Sequence, residues 1–283
     1  MKLSLLTGLL LCAYMPTVHA LNILFVVDFF PKRTETFILN QIARLINRGH
    51  TIWIHSYHQG KSSELCSIIK DYNLLERASY GTVCPHALST FDILYCQFGM
   101  VGTKMLRQKK QEECDAKLVT CFRGYDITCQ LQKNPHSYTT LLAEGDLFLP
   151  VCDCFAQKLI SLGADPQKVI VHHSAIDCSM FCYKEKDCQD SDKVNMVSVS
   201  RLIEKKGIED VIRALALVTK QCTNIHYTIV GDGALRKKLE QLVHSLGLRD
   251  YVTFLGSVSH EKVVSLFEFA DIAILPSKKA RGG

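Results

Sequence analysis

Apolar positions along the chain fall into two alternating kinds of segment. Short runs at Asn22–Asp28, Thr51–Ser56, Asp92–Cys96, Lys117–Cys121, Leu147–Val151 and Lys168–His172 are dominated by Val, Ile, Leu and Phe. Runs of this length and continuity predict strands buried on both faces. Between them lie stretches with helical spacing. In Glu35–Arg48, Phe37, Ile38, Ile42, Leu45 and Ile46 share one side and Gly49 supplies the stop. Cys154–Leu162 is a second helix, closed by Gly163 and followed by Asp165-Pro166. Such alternation predicts an α/β fold, a parallel sheet with helices on both faces.

The pattern lapses from Phe181 to Lys193, a polar, aperiodic stretch that reads as a linker, and then restarts. Strands are predicted at Asn195–Ser200, His226–Val230, Val252–Leu255 and Ile272–Leu275, with helices at Ile208–Lys220, Ala234–Leu246 and Glu261–Ala270. The inferred architecture is two Rossmann-like lobes, residues 21–180 and 194–283, joined by residues 181–193. Open doubly wound sheets commonly carry about five or six strands. The second lobe supplies fewer, with no helix after its last strand, and reads as incomplete.

A chain of 283 residues has room for two such lobes, and 47% hydrophobic with 22% charged residues excludes wholesale disorder. The formal charge of +5 is too mild to imply a nucleic-acid partner. The basic run Lys104 to Lys110 reads as a solvated face. Residues 1–20 stand apart: Lys2, an apolar run from Leu3 to Met15, then Pro16, with small Val18 and Ala20 ahead of Leu21. This is the composition of a secretory signal peptide, and an upstream extension preceding a start at Met15 is the competing reading. A genuine leader implies export; otherwise the chain is expected in the cytoplasm.

The 13 cysteines give no framework. Cys96 and Cys121 end apolar runs as small hydrophobes do. Cys152, Cys154, Cys178, Cys182 and Cys188, with His172 and His173, contain no Cys-x-x-Cys pair, and their spacings fit no zinc pattern. No metal site is expected, and the thiols read as scattered residues of a reducing compartment.

Candidate chemistry gathers at strand ends. Ser200-Arg201-Leu202-Ile203-Glu204-Lys205-Lys206-Gly207 follows one strand and precedes a helix, where open α/β sheets bind ligands. Arg201 offers a planar fork and Lys206 a point charge, and the helix amino terminus adds positive potential, a combination suited to a diphosphate. A basic surface loop is the plainer reading. Gly231-Asp232-Gly233 is a second strand-to-helix turn, whose glycines allow positive φ and close backbone approach. Gly256-Ser257-Val258 follows a third strand.

Across these motifs the sequence resembles a known family. SRLIEKKGIEDVIRAL, YTIVGDGALRKKLE, VTFLGSV and ADIAILPS, in that order, resemble the second lobe of retaining GT-B glycosyl transferases of group 1, glycosyltransferase family 4. NILFVVDFFPKRTETFILNQIARLINRGH resembles the opening of members that build bacterial surface polysaccharides, and LVTCFRGYDIT and LFLPVCDCFAQKLISLGADPQKVIVHHSAID match further segments. The resemblance implies a hexose-type sugar moved with retention from a UDP- or GDP-linked donor to a growing surface polysaccharide or lipid-linked glycan, without a metal or other cofactor. Arg201 and Lys206 would hold the donor diphosphate. Gly231, Asp232 and Gly233 would shape the nucleotide pocket, and Gly256, Ser257 and Val258 would lie near the base.

Departures accompany the likeness. Arg123 and Gln97 stand where relatives often have His, so no catalytic residue is assigned, although Arg123 remains able to contact a phosphate. The family's donor-sugar glutamate motif, which follows Leu275-Pro276-Ser277 in relatives, has no counterpart. A carboxyl-terminally truncated, non-catalytic remnant that at most binds nucleotide is therefore the rival reading. Thr34-Glu35-Thr36 is either a loop beside the ligand or a helix start capped by Thr34. His172 and His173 read as ordinary satisfied histidines or as ligand contacts. The helix carrying Arg44 and Arg48 either faces the core or docks peripherally on an anionic membrane.

Overall fold

The structure, a computed structural model, describes residues 19–32, 35–61, 67–174, 176, 178, 180–181 and 193–279. Residues 1–18 of the proposed leader, Thr34 and most of the expected linker, with Cys182 and Cys188, lie outside these. The chain divides into two compact units, Met1–Ala175 and Ile176–Gly283.

The first unit is built on six parallel strands: β1 (Asn22–Phe30), β2 (Thr51–Gln59), β3 (Ala78–Tyr80), β4 (Ile93–Gln97), β5 (Lys117–Phe122) and β6 (Leu147–Pro150), ordered β3-β2-β1-β4-β5-β6. Asn22 lies opposite Thr51 on one side of β1, and Ile23 opposite Ile93 on the other. Both faces are covered, which is why residues 23–27 of β1 read as an unbroken apolar run. Ile23, Phe25 and Val27 pack against Ile38, Leu39 and Ile42 of helix α1 (Thr36–Asn47). Leu24 and Val26 face the opposite core, which includes Val101, Met105 and Leu106 of α2 (Gly99–Gln111) and Leu159 of α3 (Asp153–Ser161). The apolar stripe of α1 is thus taken up by the sheet, as the core-facing reading expects. Lys104, Arg107 and Lys110 lie on the exposed side of α2.

One expected strand is corrected. Residues 168–172 do not form a sixth long element: Pro166–Lys168 is a 3-10 turn, and only Val169 bridges to Phe148. Ile170 N and His172 N still donate to β6, at Phe148 O (3.0 Å) and Pro150 O (2.8 Å), but Ile170 is 54% exposed. Among the described residues nothing covers Ile170, so the run of Val and Ile stays an edge segment.

The second unit has four parallel strands, β7 (Val194–Val199), β8 (Ile225–Val230), β9 (Val252–Gly256) and β10 (Ile272–Ala273), ordered β10-β7-β8-β9. Met196, Tyr227 and Ile229 pack beneath α4 (Ile208–Val218) and α5 (Arg236–Ser245) through Ile208, Val211, Ile212, Leu215, Leu239 and Val243. Tyr227 is fully buried and donates its hydroxyl to Ser198 Oγ at 2.7 Å, which in turn donates to Ile274 O. The other side is looser: α6 (His260–Phe269) buries none of its residues, and Phe267, Phe269, Ile272 and Leu275 are exposed. The expected strand Ile272–Leu275 shortens accordingly to two residues. Among the described residues, no helix is long and apolar enough to cross a membrane.

Candidate functional site

In the second unit parallel pairing brings the carboxyl ends of β7, β8 and β9 to one edge. The turns that follow them are tied by main-chain bonds: Ser200 N to Val230 O (3.0 Å), Leu202 N to Asp232 O (2.9 Å), Leu235 N to Leu202 O (3.0 Å) and Gly231 N to Gly256 O (2.8 Å). This intimacy requires glycine at two places. A Cβ on Gly231, at φ +124°, would lie 1.9 Å from Ser200 O, and one on Gly233 would lie 2.5 Å from Leu202 O. The Gly-Asp-Gly sequence is therefore what lets the β8 turn lie against the β7 turn.

Arg201 leaves this platform exposed to solvent. Lys206 sits half-buried in the 3-10 turn Glu204–Lys206, which ends at left-handed Gly207 (φ +66°) before α4 begins. Burial, then the neighbouring charges of Lys205 and Arg201, hold the Lys206 ammonium below its ordinary pKa. Among the described residues neither cation has a carboxylate partner. Of the acids nearby, Glu209 is engaged with Arg213 and Lys238 at 2.9 Å each and Asp210 with Lys278 at 2.6 Å. Two cations without carboxylate partners are able to receive an anion.

Asp232 is exposed, accepts from Gly233 N at 2.7 Å and lies 3.5 Å from Arg236. Gly256 is buried and left-handed (φ +71°), Ser257 is exposed and Val258 half-buried. A cavity of about 350 Å³ in this unit is lined by Ile203, Glu204, Ile208, Glu209, Leu235, Lys238, Leu239 and Lys278. It takes in neither Arg201 nor Lys206. Its ion pairs make it a cross-brace between α4 and α5 more than a phosphate site.

In the first unit the sheet order reverses between β1 and β4, the place where α/β sheets open a crevice. Gln97 ends β4 and is fully buried; Arg123 follows β5. The Arg123 guanidinium lies 3.8 Å from the Phe37 ring centroid, donates to Ser174 Oγ at 2.7 Å, and reaches Gln97 Oε1 through Nε and Nη2 at 3.4 Å each. Gln97 Nε2 donates to Gln41 Oε1 (3.1 Å), and Gln41 Nε2 to the Tyr95 hydroxyl (2.6 Å). This chain turns the amide oxygen of Gln97 toward Arg123.

Asp126 is buried with its carboxylate on main-chain donors: Gly99 N (3.1 Å), Arg123 N (2.8 Å) and Ile127 N (3.2 Å). Burial raises its pKa despite those bonds. It thereby pins the Arg123 backbone to the start of α2. Phe98, between Gln97 and α2, has φ +79°, a strained backbone for an aromatic residue beside a crevice. His173 Nδ1 lies 3.0 Å from Val151 O, while His172 is exposed. Glu35 is buried against Lys32 at 2.6 Å.

Phe37, Gln41, Asp126 and Ser174 were not marked out by the sequence reading. Gln41 carried a signal: it stands four residues from both Phe37 and Leu45, a polar residue on the apolar stripe of α1. Of the cysteines, Cys96 and Cys121 are buried, and burial pushes both thiols up. None of the nine described cysteines is in a disulfide.

Residues 183–283 match the model of the family described as glycosyl transferases group 1. The chain is 26% identical to the putative colanic acid biosynthesis glycosyltransferase WcaL of Salmonella typhimurium, over 88% of this chain and 73% of that protein. It is also 26% identical to the amylovoran biosynthesis glycosyltransferase AmsK of Erwinia amylovora, over 90% and 75%. Among solved structures, Anabaena Alr3699/HepE in complex with UDP and glucose superposes with a TM-score of 0.69 at 15% identity, covering 91% of this chain and 74% of that one. The lipopolysaccharide outer core galactosyltransferase WaaB gives 0.64 at 15% identity, over 90% and 74%. Taken with the two parallel α/β units, these likenesses identify a glycosyltransferase of polysaccharide biosynthesis with the GT-B fold, whose residues 183–283 carry the match to glycosyl transferases group 1.

Proposed function

We propose that the protein moves a hexose-type sugar from a UDP- or GDP-linked donor to a growing surface polysaccharide or lipid-linked glycan, with retention of anomeric configuration. The observation that carries this reading is the pair Arg201 and Lys206, unneutralised, on a platform where three strand ends converge. A nucleoside diphosphate leaving group develops negative charge as the glycosidic bond breaks. Fixed cations that meet that charge lower the barrier without reorganisation of solvent. The close-packed glycine turns at Gly231 and Gly233, with Asp232 between them, form the wall against which the nucleoside would lie, and Gly256, Ser257 and Val258 the part nearest the base. The crevice of the first unit, around Arg123, takes the acceptor. A donor of this kind places the reaction on the cytoplasmic side of the membrane.

The relatives' names support the polysaccharide assignment, and the Anabaena neighbour's complex with UDP supports a nucleotide donor. Calorimetric titration of the protein with UDP and GDP tests it. One of the two is expected to bind, and Arg201→Ala and Lys206→Ala are each expected to weaken that binding about tenfold, ~1.4 kcal/mol. A folded protein that binds neither nucleotide, or variants that bind as tightly as the parent, would remove the assignment.

A further inference from the structure

The first unit contains a cation whose surroundings do not account for it. Arg123 is drawn partly out of water between the Phe37 ring and Gln97, and a guanidinium stays charged in such a place. A desolvated charge is ordinarily paired. Among the described residues every group that touches it is neutral: an aromatic face, the Ser174 hydroxyl and the Gln97 amide oxygen. The two Gln97 contacts are long, at 3.4 Å, and leave donors on Nη1 and Nη2 unspent.

The two carboxylates whose charge reaches Arg123 are committed. Glu35 is bound by Lys32 at 2.6 Å, and Asp126 spends its oxygens on three main-chain N–H groups. Elsewhere in this unit cations do find acids, as Lys110 finds Glu144 and Lys117 finds Asp146. At Arg123 the Tyr95–Gln41–Gln97 chain fixes the neighbour as an amide oxygen instead. The guanidinium is thus held in place, at the crevice between β1 and β4, without a carboxylate contact among the described residues.

We propose that Arg123 recognises an oxyanion on the acceptor, a carboxylate or a phosphate group close to the hydroxyl that receives the sugar, so that the enzyme extends acidic glycans in preference to neutral ones. This rests on the assignment of the acceptor to the first unit, and it names the acceptor's chemical class. Neutral oxygen partners position the fork without competing for its charge, and an oxyanion fits that fork in a bidentate manner.

The test is binding by the full chain of three small probes, followed by ligand-observed NMR titration: methyl glucuronide, glucose 1-phosphate and the neutral methyl glucoside. At least one anionic probe is expected to bind about tenfold or more tightly than methyl glucoside, and which one does so separates a uronate-type from a phosphate-type acceptor. Arg123→Gln is expected to abolish the preference and Arg123→Lys to retain part of it, with unchanged affinity for UDP or GDP in both. Saturating nucleotide should leave the anionic probe bound. Equal affinity for charged and neutral probes, or a preference that survives Arg123→Gln, overturns the proposal. Displacement by UDP or GDP also overturns it, because the anion would then be the donor's. Should neither nucleotide bind while the Arg123-dependent preference persists, the donor assignment fails and this one stands.

Discussion

Replacing Gly231 by alanine should loosen the edge of the second unit where the turns after β7, β8 and β9 meet, while leaving its helices chemically untouched. The backbone there has φ +124°, a conformation that costs an L-residue about 1–2 kcal/mol. The larger effect is contact. A Cβ would sit 1.9 Å from Ser200 O, and real carbon–oxygen contacts stay beyond about 3 Å, so the two turns must part by about 1 Å. That separation lengthens Ser200 N to Val230 O and Gly231 N to Gly256 O, now 3.0 and 2.8 Å. Each is worth about 1 kcal/mol net. The sum is about 3–4 kcal/mol, a large part of the ~5–15 kcal/mol that holds a domain.

Gly247→Ala provides the control. Gly247 has φ +70°, but its added Cβ meets nothing within 4 Å, so only the backbone strain of about 1 kcal/mol applies. The single tryptophan, Trp53, lies in the other unit, so hydrogen exchange of peptides spanning β8 and β9 is the suitable readout. Gly231→Ala should speed exchange there by more than a hundredfold, and Gly247→Ala by less than about tenfold. Equal effects of the two substitutions would refute the claim that the β7 and β8 turns are in backbone contact.

Two further outcomes follow from the first unit. His55 is fully buried with Nε2 unpartnered, and burial, reinforced by His86, holds its pKa at about 4 against 6.5. Its neutral form is favoured in the fold, so stability is present above pH 6.5 and is lost as pH falls toward 4, by about 3 kcal/mol in full. Urea unfolding read by Trp53 fluorescence at pH 7.5 and 4.5 should show this loss, and His55→Asn should diminish it; an unaltered pH dependence would count against a buried neutral imidazole. Asp126→Asn places an amide N–H against Gly99 N and should cost about 1–3 kcal/mol, seen as a lower urea midpoint, with no change if the carboxylate's main-chain bonds are unimportant.

The two-lobed α/β plan was legible because each core strand is buried on both faces. Ile23, Phe25 and Val27 fill one core while Leu24 and Val26 fill the other, and no polar residue interrupts the run. The same cue misled at residues 168–172, where Val169, Ile170 and Val171 have the composition of a strand but no second face to pack against. Propensity describes what a segment tolerates, and burial by its neighbours decides what it becomes. β3 escaped notice for the opposite reason: Ala78–Tyr80 is short, half-buried and, among the described strands, has β2 alone beside it.

Charge pairing divides along the same line. Glu209 with Arg213 and Arg236 with Glu240 are pairs at i, i+4, so helical spacing alone predicts them. The environment of Arg123 has no such local signature. Phe37 comes from α1, Gln97 from β4 and Ser174 from the segment beyond α3, distant in sequence and joined only by the sheet's topology. Sequence therefore marked Arg123 as a departure from a familiar histidine, but not as an unneutralised cation. The distinction matters physically. A paired arginine at that position would be scaffold, and its loss would register chiefly in stability. An unpaired one stores an electrostatic cost that a ligand's oxyanion relieves, so its loss registers in what the crevice selects. Removing the charge should then leave the fold as stable as before or slightly more so, while erasing the preference for acidic probes, a combination that a purely structural arginine does not produce.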